Sequence, residues 1–264
     1  MTGSGFGERP SDPAARKPLH SASPEPPATL DEELLGADIA SVVSTETDET
    51  RVARMCSEIE HGFEAMRGVR RGVSLLGSAR THPEHPDYPL ARETARLLGE
   101  AGCSIITGGG PGTMAAANRG ARDAGALSVG LRIDLPYEQH MNPWVDLEVD
   151  HHYFFVRKVL FVRYAGAMVA FPGGFGTLDE LFEALTLIQT RKVRYFPLIL
   201  MRRDYWKGLI DWIQGPLLEE GKIGVHDTAL LRVTDDPEEV VELVSAAADH
   251  QGWDRSGGSE PDDS

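Results

Sequence analysis

The sequence predicts an α/β protein of the Rossmann-like, doubly wound kind, a mostly parallel sheet with helices on both faces. Three observations carry that expectation. From about residue 70 onwards, apolar runs too short for a helix alternate with segments whose apolar residues recur at helical spacing. Two of those runs end in glycine loops, Gly108-Gly109-Gly110-Pro111-Gly112 and Pro172-Gly173-Gly174-Phe175-Gly176, and each loop opens into helical pattern. The strand-helix alternation is what parallel crossovers require.

The first 45 residues hold six prolines and one aromatic, Phe6, and the first 50 carry ten acids against three bases. Such a stretch cannot bury enough apolar surface to offset the entropy of ordering, so residues 1–48 are expected to be a disordered acidic tail. Residues 251–264 read the same way. Between them, 49–250 is expected to form a single Rossmann-like nucleotide-binding domain.

Within it, a helix over about 51–66 would bury Val52, Met55, Ile59, Phe63 and Met66 on one face. A strand at 73–76 runs into a turn at Gly77-Ser78-Ala79-Arg80. A helix over 88–101 turns Leu90, Ala91, Ala95, Leu97 and Leu98 inward. The strand at 103–107 feeds the first glycine loop, followed by a helix of small residues at 115–124 and a strand at 127–133. Residues 151–165 read as a helix leading into a strand at 167–171. After the second glycine loop, Leu178, Leu181, Phe182, Leu185 and Ile188 mark a helix. A strand at 195–201 and helices at 204–213 and 237–247 complete the pattern, with no internal repeat.

The formal charge of −15 sits mostly in the two tails, and the acidity argues against a nucleic-acid partner, which would need a basic face. No stretch approaches the length of a membrane span. The two cysteines, Cys56 and Cys103, have neither zinc-site nor disulfide-framework spacing, and a cytoplasmic setting is expected.

The chemistry concentrates at 171–180. A strand, a glycine loop and a helix start direct unpaired backbone N–H groups and the positive end of a helix dipole at one spot, which suits a phosphate. Thr177 stands where an N-cap belongs, and Glu180 completes a T-x-x-E capping pattern. The same residues could instead make only a tight turn and a capping box. The loop at 108–112 could pass close to a sugar or base, or serve helix–sheet packing. Arg157 shares a stripe with Phe154, Leu160, Phe161 and Tyr164, where a guanidinium either meets an anion or reaches over apolar surface to water. The G-x-G-x-x-G fingerprint breaks at Thr113, and no Gly-Lys-Ser/Thr exists, so neither a dinucleotide dehydrogenase nor a P-loop ATPase is indicated.

Taken together, Gly108-Gly109-Gly110-Pro111-Gly112-Thr113-Met114, Arg157-Lys158 and Pro172-Gly173-Gly174-Phe175-Gly176-Thr177-Leu178-Asp179-Glu180 resemble the LOG family. These are cytokinin riboside 5′-monophosphate phosphoribohydrolases, many of which carried the label lysine decarboxylase. The resemblance spans about residues 70–215. It implies an essential pair, Arg157 and Glu180, and a homodimer with sites near the subunit interface. It implies no cofactor and no metal.

By this resemblance and the loop chemistry, Gly109, Gly110, Gly112, Thr113, Glu138, Lys158, Gly173, Gly174, Gly176 and Thr177 are the expected substrate-binding residues. Glu138 holds the place of an acidic base-recognition residue. The family's Met-His before x-Arg-Lys is replaced by Phe154-Phe155, which points to another subgroup.

The implied substrate is a nucleoside 5′-monophosphate, an N6-modified adenosine monophosphate in the cytokinin-activating form. A general purine or pyrimidine nucleotide nucleosidase and a non-catalytic nucleotide sensor or carrier are the alternatives. In the hydrolytic reading Glu180, in the first helical turn, is expected to be ionised and to act as a base. A pyridoxal-dependent decarboxylase would need a Schiff-base lysine, for which no convincing context exists.

Overall fold

A computed structural model of the chain describes residues 27–36, 46–134 and 140–251. Most of both acidic tails, and Glu138 with its neighbours at 135–139, lie outside the described residues. The chain divides into two compact units, residues 1–46 and 47–264. In the first, the structure describes one short helix, α1 (Leu30–Leu35), within the stretch expected to be disordered. It starts because the Thr29 hydroxyl accepts from the Glu32 amide, and the Glu32 carboxylate reaches back to the Ala28 N–H.

The second unit is the expected doubly wound domain. After α2 (Asp48–Ala65) come β1 (Gly72–Leu76), α3 (Asp87–Glu100), β2 (Ser104–Thr107), α4 (Thr113–Asp123) and β3 (Ser128–Ile133). Then follow β4 (Leu147–His151), α5 (Phe154–Arg163), β5 (Ala165–Ala170), α6 (Phe175–Gln189), β6 (Leu198–Met201), α7 (Arg203–Trp212), β7 (Leu231–Thr234) and α8 (Pro237–Gln251). All seven strands are parallel, in the order β4-β3-β2-β1-β5-β6-β7.

Adjacent strand residues point to opposite faces, and the two cores follow from that alternation. Leu76, Ile106, Met168 and Leu200 pack with Leu160, Phe161, Leu181 and Trp206 from α5, α6 and α7. Leu75, Ile105, Val169 and Ile199 pack with Ala91, Leu98, Ala117 and Val244 from α3, α4 and α8. With both faces covered, the central strands bury every residue, which is why they read as continuous apolar runs.

Several expectations need correction. Residues 147–151 are a strand, so the helix expected from residue 151 begins only at Phe154. On α2 Phe63 and the following Met66 pack into the core as expected, but Val52 is exposed, and Arg51, Glu58 and Gly62 are buried as well. A polar residue takes the inward position on α2 because it has partners there, described below.

The chain winds outward from β1 through β2, β3 and β4, then returns to place β5 on the other side of β1. The strand order therefore reverses between β1 and β5. At such a switch point the loops leaving the two strands diverge and open a crevice at their carboxyl ends.

Candidate active site

The turn after β1 and the loop after β5 are fastened together at this crevice. The Ser78 N–H donates to the Pro172 carbonyl at 3.1 Å, and the Phe171 N–H donates to Leu76 at 2.9 Å. The Ser78 carbonyl accepts the Thr113 N–H at 3.0 Å, which brings the loop after β2 to the same place. Around them lies a cavity of about 710 Å³, large enough for a nucleotide. Its lining includes Ser78, Arg80, Gly108, Gly109, Gly110, Arg132, His140, Phe154, Arg157, Gly174, Phe175, Gly176, Thr177 and Glu180.

The cradle at the start of α6 differs in register from the expected one. The N-cap is Gly174, without a side-chain cap, so Thr177 lies inside the helix and not at its cap. The first helical hydrogen bond runs from Leu178 N–H to Gly174 C=O at 3.1 Å. The N–H groups of Phe175, Gly176 and Thr177 thus precede the helical ladder, as donors that a bound anion can accept from. Thr177 folds back on Gly173 so closely that a Cβ there would lie 2.1 Å from the threonine Oγ1. Gly173 makes room for Thr177, and its carbonyl accepts the Tyr205 hydroxyl at 2.6 Å.

The other loop divides between two tasks. Gly109 and Gly110 line the cavity. Their carbonyls accept the Asn142 side-chain amide at 2.9 and 3.0 Å. Asn142 belongs to a buried network with Asn118, Thr107 and Ser128. Gly112 and Thr113 are not lining residues. Gly112 has φ +68°, and a Cβ on it would lie 2.3 Å from the Ser78 carbonyl oxygen, so this glycine is needed for the loops to meet.

Arg157 and Glu180 meet as α5 crosses α6. The guanidinium Nη2 donates to Glu180 Oε1 at 3.3 Å, with side chains 13% and 5% exposed. Arg157 therefore meets an anion and does not reach out to water. Its guanidinium lies over the rings of Phe154 and Phe161, 5.3 and 5.4 Å from their centroids.

Glu180 sits in the second helical turn, away from the strongest part of the helix dipole. Burial, against the opposing pull of Arg157 and Lys158, pushes its carboxyl up to about 7. The expectation of a firmly ionised base is thereby corrected: this carboxyl exchanges its proton near neutral pH. Lys158 points to the other side of α6, paired with Asp179 at 2.9 Å and Glu183 at 3.1 Å. It ties α5 to α6 and is not a lining residue.

Sequence reasoning singled out none of Ser78, Arg80, Arg132 or His140 for the site, though all four line the cavity. Ser78 and Arg80 occupy a turn at the carboxyl end of a parallel strand, and that position is the signal that could have found them. Among the described residues no group of acids, histidines and cysteines is arranged to hold a metal ion, and no helix is long and apolar enough to cross a membrane.

Fold and site define an α/β protein with an uncapped helix start and a buried arginine–carboxylate pair at its topological switch point. A family model described as possible lysine decarboxylase matches residues 114–244. A cytokinin riboside 5′-monophosphate phosphoribohydrolase of Mycobacterium tuberculosis is 31% identical, over 57% of this chain and 81% of that one. The chain belongs to this family, the LOG-type proteins. A pyrimidine/purine nucleotide 5′-monophosphate nucleosidase of Escherichia coli is 29% identical over 150 residues, 52% of this chain but 33% of the enzyme's own length. Among solved structures, a structural-genomics protein designated TM1055 shares the fold, with a TM-score of 0.53 and 24% identity over 67% of this chain and 99% of that one.

Proposed function

We propose that the protein hydrolyses the N-glycosidic bond of a nucleoside 5′-monophosphate, releasing the free base and ribose 5-phosphate. The single observation that carries this reading is the Arg157–Glu180 pair, buried in a nucleotide-sized cavity beside the open amides of α6. The names of the mycobacterial and E. coli relatives support it.

In this account the 5′-phosphate accepts from the N–H groups of Phe175, Gly176 and Thr177, and Gly174 lets it approach. The sugar and base then extend towards Gly109 and Gly110. As the C1′–N bond breaks, positive charge grows on the ribose, and the Glu180 carboxylate beside it stabilises that charge. Ionised Glu180 takes one proton from the attacking water, whose oxygen bonds to C1′. The leaving base gains one proton from solvent and Glu180 returns its own to solvent, so over the cycle the reaction consumes one water and no net proton. Arg157 holds Glu180 by its planar fork and keeps part of its population ionised at neutral pH.

Among the described residues no lysine lines the cavity, which disfavours a Schiff-base decarboxylase. Within the hydrolytic reading, the cytokinin-activating form would prefer N6-modified adenosine monophosphates over unmodified purine and pyrimidine nucleotides. Incubation with a panel of both kinds, with free base measured by chromatography, separates these forms. Nucleotide that binds but stays intact throughout the panel would leave the sensor or carrier reading in its place.

The protein is also proposed to act as a homodimer. Phe175 is 92% exposed although it lines the cavity, and Phe154, Phe155 and Val159 are exposed beside it on α5. A second copy covering this face would bury those rings and close the site. Sedimentation should give twice the chain mass, and Phe175→Glu should shift it to the single chain. A wild-type monomer at micromolar concentration contradicts the dimer.

A further inference from the structure

The helix that carries Arg157 has no cap of its own. Its N-cap residue, Tyr153, makes no side-chain cap hydrogen bond, and no acid lies in its first turn. The cap comes from another helix. Glu58 of α2, whose side chain is 7% exposed, turns its carboxylate onto the start of α5. Oε1 accepts the His152 and Tyr153 N–H groups, each at 3.1 Å, and Oε2 accepts the His152 N–H at 3.1 Å and faces His152 Nδ1 at 3.0 Å. A buried carboxylate needs such partners, and an anion at this end of a helix also meets the positive pole of its dipole.

The contact leads directly to the site. Tyr153, held at its N–H by Glu58, accepts the Arg157 N–H with its carbonyl at 3.3 Å. Further along, Gly62 of α2 packs on Leu160, where a Cβ would lie 2.7 Å from the leucine Cδ1. The Phe63 carbonyl then accepts the Tyr164 hydroxyl at 3.1 Å. Thus α2 holds α5 at the residues that precede it, at Leu160 and at the residue that follows it, although α2 lies before the matched residues 114–244.

We propose that Glu58 is a positioning residue of the active site, which fixes the first turn of α5 and thereby the direction from which Arg157 meets Glu180. The proposal rests on the hydrolytic reading for its kinetic consequence, but its structural content stands apart from activity.

The test compares wild type, Glu58→Gln and Glu58→Ala as the full chain. Hydrogen exchange of the α5 amides around Arg157 needs no turnover. It should quicken at least tenfold in Glu58→Ala and less in Glu58→Gln, whose side-chain oxygen still accepts. The second readout is the pH dependence of base release from AMP. Glu180 is faced by Arg157 and Lys158 from α5 and by Asp179 and Glu183 on its own helix. Displacing Arg157 removes a contact that favours the carboxylate, so the acidic limb of kcat/KM should move to higher pH, with a larger loss in kcat than in binding.

A variant that merely loosened the fold would lower activity without moving that limb. Should Glu58→Ala not fold, Glu58→Gln carries the test in the same direction with a smaller size. Exchange and acidic limb both unchanged in the folded variants would overturn the proposal. A wild type that releases no base would instead overturn the hydrolytic reading, leaving the exchange result to decide on Glu58.

Discussion

Replacing Glu180 by glutamine is expected to stop base release while making the protein more stable above neutral pH. The catalytic loss should be about 10²–10⁴-fold, the usual contribution of a positioned proton-transfer group. The gain in stability follows from the same burial. Glu180 titrates at about 7 instead of its ordinary 4.5. Between those values the folded protein holds a proton that the unfolded chain has released. Stability therefore falls as pH rises through that window, and above pH 7 the full cost applies, roughly 2–4 kcal/mol. Glutamine is neutral at every pH and still offers Arg157 an oxygen. The melting temperature of Glu180→Gln should exceed that of wild type at pH 8, and the gap should narrow towards pH 5. Equal melting temperatures across that range would contradict the burial argument, and unchanged turnover would remove Glu180 from the mechanism.

Arg157 substitutions should separate charge from shape. Arg157→Ala removes the guanidinium that contacts Glu180 and leaves only the pull of Lys158, so the carboxyl should titrate higher still and be largely protonated at neutral pH. Base release should fall at least about a hundredfold, following the loss of a positioned charge in a water-excluded site. The fold should survive, because the orphaned carboxyl can take up a proton and avoid the cost of an unpaired buried charge. Arg157→Lys keeps the charge but not the plane. The guanidinium lies over both Phe154 and Phe161 and reaches Glu180 with one nitrogen of a rigid fork, which an ammonium cannot reproduce. Lysine should recover less than about a tenth of wild-type kcat/KM in steady-state assays. Full recovery by lysine would mean that charge alone is needed.

The parts of the fold that could be read from sequence are those where one pattern dominates. β1, β2, β5 and β6 are buried on both faces, so their apolar runs announced them. β4 and β7 lie at the sheet edges and carry exposed charges, Glu148 and Asp150 in one and Arg232 in the other, which breaks the run. β4 gives no strand pattern and only its last residue, His151, falls within the helix expected at 151–165, while β7 gives no apolar run to notice. The burial of Glu58 on α2 is hidden for a related reason. Glu58 looks like a solvent-facing residue until the start of α5 is brought against it by the fold.

The site divides in the same way. Arg157 and Glu180 lie 23 residues apart in separate motifs, and it is the resemblance to the LOG family that pairs them in the sequence. Their electrostatics could not be read, because the protonation of Glu180 depends on burial produced by the packing of α5 on α6. Thr177 was taken for a cap because its residue type favours one, but Gly174 permits an earlier helix start and leaves more amides open. Lys158 shares its motif with Arg157, and one residue of helical rotation sends it to Asp179 and Glu183 on the far side of α6.

The central claim is that the amides opening α6 hold a sugar phosphate while the carboxyl at position 180 faces the anomeric carbon. A crystal structure of Glu180→Gln with AMP tests it most directly, since the variant should bind the nucleotide without cleaving it. The account predicts the phosphate on the N–H groups of Phe175, Gly176 and Thr177, with C1′ against the side chain at position 180 beside Arg157. AMP bound elsewhere on the protein, or bound in the cavity with its phosphate away from α6, would contradict it.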